Sequence, residues 1–307
     1  MATLRRRVSA ISSLVRSAVG ATEVERYWTG HTVNSTPFGS AAESEEYLQW
    51  RFDEYPLFRE KMALWGDHDG DVILDYGCGP GNDLVGFLLY TACSRVVGAD
   101  VSPKSLELAR GRLDLHRLDV ERYSLVRLLD SRPAIPSPDS SVDFVHCAGV
   151  LQHTTDPAAI LGELRRVVRP DASGRVMVYN RDSLWFHLYT AYQRMIVQGM
   201  FGGLSVEEAF ARNTDGPDCP ISRCYRSADF VALAESEGFG AEYLGGYFAR
   251  IELDLYRDLL GLALSDDRLD RSHRDFLGAL AEDDQGYPCF QGEHAGIGGV
   301  YRIWPTG

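Results

Sequence analysis

Three glycines at alternate positions follow an apolar run in Val72-Ile73-Leu74-Asp75-Tyr76-Gly77-Cys78-Gly79-Pro80-Gly81. Without Cβ atoms, Gly77, Gly79 and Gly81 let the backbone turn tightly and a ligand approach it closely. Asp75 sits at the end of the run, where a carboxylate accepts from an ammonium group or orients the loop. An amino-acid-bearing cofactor suits that site. A dinucleotide fingerprint would need a third glycine at position 82, and Asn82 stands there, so nicotinamide binding is disfavoured. A second apolar run, Val96-Val97-Gly98-Ala99-Asp100-Val101, ends in a carboxylate 23 residues after Gly77. In a doubly wound fold this acid lies beside the glycine loop and takes both hydroxyls of a ribose. Asp130 and Ser131 follow a third run, in reach of an adenine amine.

Two histidines are candidate proton acceptors: His153, just after a fourth apolar run, and His294, in the polar stretch Gln291-Gly292-Glu293-His294-Ala295-Gly296. Asp182 and Asp215 are expected in loops on the same side of the sheet, where they would bind a cationic or polyhydroxylated acceptor. The competing roles are structural: a turn for His153, a surface loop for His294, caps and turns for the two acids. The pairs Asp266-Asp267 and Asp283-Asp284 lack flanking ligands at metal spacing, so no metal is expected. The six cysteines form no CxxC pair and read as free thiols of a reducing cytoplasm.

These groups need a frame. Residues 71–180 alternate short apolar strands, at 71–76, 95–99, 124–129, 142–147 and 175–179, with amphipathic helices, which means a parallel sheet covered on both faces. A long apolar helix is expected around 184–200, a loop at 213–226, helix and strand from 228 to 247, and a last strand at 298–304. Residues 1–70 read as a helical cap with Trp28, Trp50 and Arg51 as a lid over the site, and 71–307 as the main domain. The basic stretch at 1–21 reads as an amphipathic helix or a tail, since Ser12, Ser13 and Arg16 interrupt a signal-peptide core.

The 307 residues carry a net charge of −13, which argues against a nucleic-acid partner. No apolar run approaches the roughly 20 residues of a membrane span. From Phe201 onward there are 19 acidic residues against nine arginines and no lysine. That asymmetry is either a solvated surface or a region that draws cations.

Residues 72–180 resemble the class I methyltransferases of the type 11 family. The resemblance rests on the glycine loop, on Asp100, on Ser137-Pro138-Asp139-Ser140-Ser141-Val142-Asp143-Phe144-Val145, on Val150-Leu151-Gln152-His153, and on Leu164-Arg165-Arg166-Val167-Val168-Arg169-Pro170. It implies an α/β fold: a doubly wound, seven-strand sheet, mostly parallel, with an antiparallel last strand. It also implies S-adenosylmethionine as cofactor, held by Asp75, Gly77, Gly79, Asp100, Asp130 and the Ala148-Gly149 turn, with Val101 and Ser131 adjoining. The N-terminal 70 residues and a helical insertion near 250–295 fall outside the shared pattern. The function expected is N- or O-methylation of a small polar metabolite, by preference an amino sugar or aminoglycoside-type natural product. An idle cofactor-binding partner subunit and a nicotinamide oxidoreductase are the alternatives.

Overall fold

Three short helices precede the sheet: α1 (Glu23–Gly30), α2 (Ala41–Glu54) and α3 (Phe58–Lys61). Thr22 and Ser40 start the first two by accepting from the backbone N–H three residues on, the ordinary work of an N-cap. The computed structural model describes residues 21–307, so most of the basic stretch discussed above lies outside the described residues.

The strands are β1 (Val72–Tyr76), β2 (Arg95–Asp100), β3 (Tyr123–Arg127), β4 (Val142–Ala148), β5 (Val168–Asn180), β6 (Cys224–Tyr225) and β7 (Phe239–Tyr247). Between them lie α4 (Asn82–Tyr90), α5 (Pro103–Leu115), α6 (Pro157–Val167), a π-helix (Trp185–Val197), α7 (Val206–Asp215) and α8 (Ser227–Ser236). Two more helices, α9 (Arg250–Ser265) and α10 (Arg271–Gly278), precede β8 (Ala281–Glu282), β9 (Pro288–Phe290), β10 (Glu293–His294) and β11 (Gly298–Pro305). The main sheet runs β3-β2-β1-β4-β5-β11-β7, with β6 paired to the end of β5. Its pairs are parallel except those of β11, which runs antiparallel to both β5 and β7. This is the doubly wound sheet with an antiparallel last strand.

Strands of a sheet covered on both faces are apolar almost throughout, and β1 is buried at Ile73, Leu74, Asp75 and Tyr76. One apolar cluster lies on each face, and a third joins the π-helix to α9 and α10. Ser102 with Pro103, and Asp156 with Pro157, cap α5 and α6, fixing where each helix leaves the sheet edge.

Three expectations need correction. The helix at 184–200 is π-helical from Trp185 to Val197, a distinction that apolar periodicity does not draw. The chain at 213–215 is the last turn of α7, which starts in a capping box between Ser205 and Glu208. The insertion is helical only as far as Gly278. Gly286 (φ 82°) and Gly292 (φ 89°) turn the rest into a three-stranded antiparallel sheet, β10-β9-β8.

Glu252 ties this insertion to the main sheet. Fully buried, its carboxylate accepts from the amides of Trp185 (2.9 Å), Ala249 (2.8 Å) and Ile297 (3.2 Å). Burial pushes it up to about 8 against the pull of those three donors. Glu252→Ala strands three amides and is expected to lower the unfolding free energy by about 3–5 kcal/mol in urea denaturation. A loss under about 1 kcal/mol would mean that water replaces the carboxylate.

Candidate active site

Parallel strands deliver their carboxyl ends to one edge of the sheet, and the loops there enclose a cavity. Gly77, at φ 77°, has no room for a side chain, since a Cβ would lie 2.1 Å from Val150 Cγ2. Gly79, at φ 52°, has the opposite surroundings: a Cβ would meet nothing within 4 Å, so its backbone is open to a ligand in the cavity it lines. Asp100 shapes this loop by accepting from the Gly79 N–H (2.8 Å) and the Ser102 N–H (2.7 Å). Burial raises its carboxyl, and those amides oppose the rise.

Asp75 is buried at the end of β1, and its Oδ2 has no partner. Burial pushes its carboxyl up to about 7, with His146 on β4 countering. The His146 Nδ1 is likewise buried and unpartnered, while its Nε2 lies 3.0 Å from Asp83 Oδ2. The other Asp83 oxygen accepts from Arg51 (2.6 Å). Burial opposes ionisation of Asp83, but Arg51 and His146 outweigh it and hold the carboxyl well below its usual range. Arg51 thereby fastens α2 to the cavity wall, and Trp28 of α1 lines the same cavity.

On the far wall, Asp130 accepts from the Thr155 amide (3.2 Å) and hydroxyl (2.7 Å). Val101, Ala148, Gly149 and His153 also line the cavity. The His153 Nδ1 lies 2.9 Å from the Ile221 carbonyl, so Nδ1 carries the proton and donates, leaving the lone pair on Nε2. That Nε2 is 3.7 Å from Asp215 Oδ1. Asp215 in turn accepts from the Tyr179 hydroxyl (2.8 Å) and the Ser222 hydroxyl (2.6 Å). Burial pushes His153 below its ordinary value, and Asp215 counters. The Trp28 ring packs on His153 at 4.8 Å, and Tyr179 meets it edge-on at 5.3 Å. A neutral imidazole backed by a fixed carboxylate is a proton acceptor.

Not every candidate converges here. Ser131 is exposed and off the cavity, because a tight turn between Leu129 and Arg132 points it to solvent. Asp215 stands beside the His153 Nε2 but outside the lining, at the end of a helix. Asp182 is carried away by Asn180, whose side chain accepts from the Asp182 N–H (3.0 Å) and donates to its carbonyl (2.8 Å), bending the chain into a second cavity. His294 belongs to the small sheet, with its Nε2 2.9 Å from Asp283 Oδ2, and does not line the first cavity. Asp283 is therefore not merely solvated.

Among the described residues, two groups bring three metal-ligand side chains within 4.8 Å of one another: His153, Asp215 and Cys219, and Asp283, Cys289 and His294. Each of these six side chains already has a protein hydrogen-bond partner. Sequence reasoning missed Asp83, His146, Thr155, Tyr179 and Ser222. Asp83 alone left a local signal, an acid in the first turn after the glycine loop.

Residues 74–175 match the family described as Methyltransferase domain. A 37.1 kDa protein of transposon TN4556 from Streptomyces fradiae is 33% identical over 182 residues, 53% of this chain and 50% of that protein. The Ubiquinone biosynthesis O-methyltransferase of Neisseria meningitidis is 30% identical over 145 residues, 47% of this chain and 59% of that one. The chain thus spans roughly half the length of the curated relatives it matches. Among solved structures, the chain resembles one of a Haloferax volcanii Trm112 methyltransferase activator in complex with a methyltransferase. The TM-score is 0.52 at 14% identity, covering 94% of this chain and 100% of that one. A Haemonchus contortus N-methyltransferase, solved with phosphomonomethylethanolamine and S-adenosylhomocysteine, also scores 0.52 at 14% identity, covering 94% and 61%. At these identities the likeness is one of fold.

Proposed function

We propose that this chain, whose residues 74–175 form a class I methyltransferase domain with S-adenosylmethionine as cofactor, methylates an oxygen or nitrogen of a small polar molecule. The cavity fits the cofactor. The unpartnered Asp75 Oδ2 awaits an ammonium, Arg51 offers a guanidinium to a carboxylate, Asp100 keeps free lone pairs for ribose hydroxyls, and Gly79 leaves the backbone bare. When bound, S-adenosylmethionine supplies a methyl group that is already activated. The protein's own work is to hold the acceptor in line, exclude water and accept a proton.

The observation that carries this reading is the fixed tautomer of His153. With Nδ1 donating to Ile221, the Nε2 lone pair takes a proton from an acceptor hydroxyl or amine, and Asp215 stabilises the imidazolium that forms. Trp28 and Arg51, from the N-terminal helices, act as the cap that closes the site. An amino sugar is the preferred acceptor: Trp28 offers a flat face to a sugar ring, and the acidic C-terminal third draws cations. Six unpaired thiols suit a reducing cytoplasm.

The test is a panel of amine-rich and hydroxyl-rich metabolites, scored for S-adenosylhomocysteine release across a salt series. Turnover on amino sugars that slows as salt rises is the expected result. Equal rates on cationic and neutral acceptors, flat in salt, would remove the amino-sugar preference. No turnover on any member, with cofactor binding intact, would favour an idle binding subunit.

Cofactor affinity should also depend on pH through Asp75. In the free protein its carboxyl is pushed up to about 7, whereas an ammonium beside it favours the ionised form. Binding below about pH 7 therefore expels a proton. Affinity for S-adenosylhomocysteine is expected to fall as pH drops from about 7 toward 5, by up to about tenfold per unit, and Asp75→Asn should flatten the profile. Calorimetry across that range checks it, and a flat wild-type profile would contradict it.

A further inference from the structure

A second cavity lies between the π-helix, α7 and α10. It shares no lining residue with the first. Its deep polar group is His187, nine-tenths buried, whose Nε2 has no partner. The His187 Nδ1 lies 2.8 Å from the His273 Nδ1, and the His187 ring stacks on Phe276 at 3.9 Å. Burial keeps both imidazoles below their ordinary values, and for His187 the neighbouring His273, Arg181 and Arg226 add to the effect. Two neutral rings joined through Nδ1 share one proton there, so the ring that accepts at Nδ1 carries its own proton on Nε2. The cavity thus presents a buried ring nitrogen with nothing to bond.

The surrounding charges identify what is missing. Arg181 is paired with Glu207, and Arg271 outside the cavity is paired with Asp275. Arg226, exposed on the rim, has no hydrogen-bond or ion-pair partner among the described residues, and neither has the Asp182 carboxylate. Ser272 and His273, in the first turn of α10, also line the space, and Asp270 caps that helix by accepting from the Ser272 N–H (2.8 Å) and hydroxyl (2.6 Å). The open valences are therefore a guanidinium, a buried ring nitrogen and a single carboxylate.

We propose that this cavity is a second ligand site. It takes an oxyanion, a carboxylate or phosphate ester, of a small molecule that also offers a hydroxyl or ammonium group to Asp182. The oxyanion pairs with Arg226 and, in the tautomer in which His187 accepts the His273 Nδ1–H, bonds to the His187 Nε2–H. The ligand is not the reacting acceptor, because the rings of Phe186, Phe210 and Tyr179 stand between this cavity and His153.

The full chain is titrated with inorganic phosphate and with acetate while the imidazole nitrogens of His187 and His273 are followed by NMR. Saturable shifts of both rings by at least one probe are expected. Arg226→Gln, an exposed substitution outside the first cavity, should weaken that binding by about tenfold or more. His187→Phe, which keeps the stack on Phe276, should abolish it as read on the His273 nitrogens, with a circular dichroism spectrum that reports an unchanged fold. Affinity for S-adenosylhomocysteine should stay unchanged in both variants, so the outcome is independent of the methyltransferase reading. Ring nitrogens that neither probe moves, or shifts that persist unaltered in Arg226→Gln, would overturn the proposal.

Discussion

His153→Ala is expected to lower turnover by about 10²–10⁴-fold while leaving the affinity for S-adenosylhomocysteine within about twofold. The expected size follows from what the alanine removes: the group that accepts the acceptor's proton, and nothing that holds the cofactor. Asp215→Asn should cost less, about tenfold, because the imidazole remains but loses the charge that stabilises its protonated form. Burial keeps His153 below its ordinary value, so the rate on a hydroxyl acceptor should climb with pH and level off below the pH at which a free histidine titrates. Single-turnover kinetics with the two variants and the wild type across pH checks both points. Normal turnover by His153→Ala would return this residue to a purely structural role at the turn after β4.

Asp100→Ala is expected to weaken S-adenosylhomocysteine binding by about 10–100-fold. Two losses combine. The Gly79 and Ser102 amides lose their shared acceptor, so the loop that opens the backbone to the cofactor is no longer held. The charged acceptor for the ribose hydroxyls goes with it. Asp100→Asn separates the two, since its amide oxygen can still take one backbone N–H. An intermediate affinity is expected, read by calorimetry beside a circular dichroism spectrum that reports an unchanged fold. Unaltered affinity in Asp100→Ala would contradict the assignment of this residue to the cofactor.

The parts legible in the sequence were those that local rules govern. The glycine loop, Asp75 and Asp100 lie within a few residues of strand ends, and strand ends of a doubly wound sheet share one edge. The sheet itself followed from apolar runs alternating with amphipathic helices, although β5 begins at Val168 rather than near residue 175. What escaped depends on chain returns that carry no periodic signal. Arg51, Asp83 and His146 lie 32 and 63 residues apart and meet only because α2 folds back over the loop. Tyr179 and Ser222 reach Asp215 from β5 and from the loop that follows α7. Asp182 and His294 misled for a common reason: each is polar and near the right edge in sequence, but one side chain two residues earlier, or one cross-strand pairing, turns it elsewhere. The small sheet β8-β9-β10 was illegible because its strands are two or three residues long, below the span at which alternation can be read.

The proposed function requires that the cavity at the carboxyl edge hold S-adenosylmethionine with its sulfonium methyl directed at His153. Its most direct test is a crystal structure of the protein with S-adenosylhomocysteine. The ligand's ammonium is expected against Asp75, its ribose hydroxyls on Asp100 and its sulfur on the side of the cavity that His153 lines. A ligand lying with its sulfur turned away from His153, or bound outside this cavity, would contradict it.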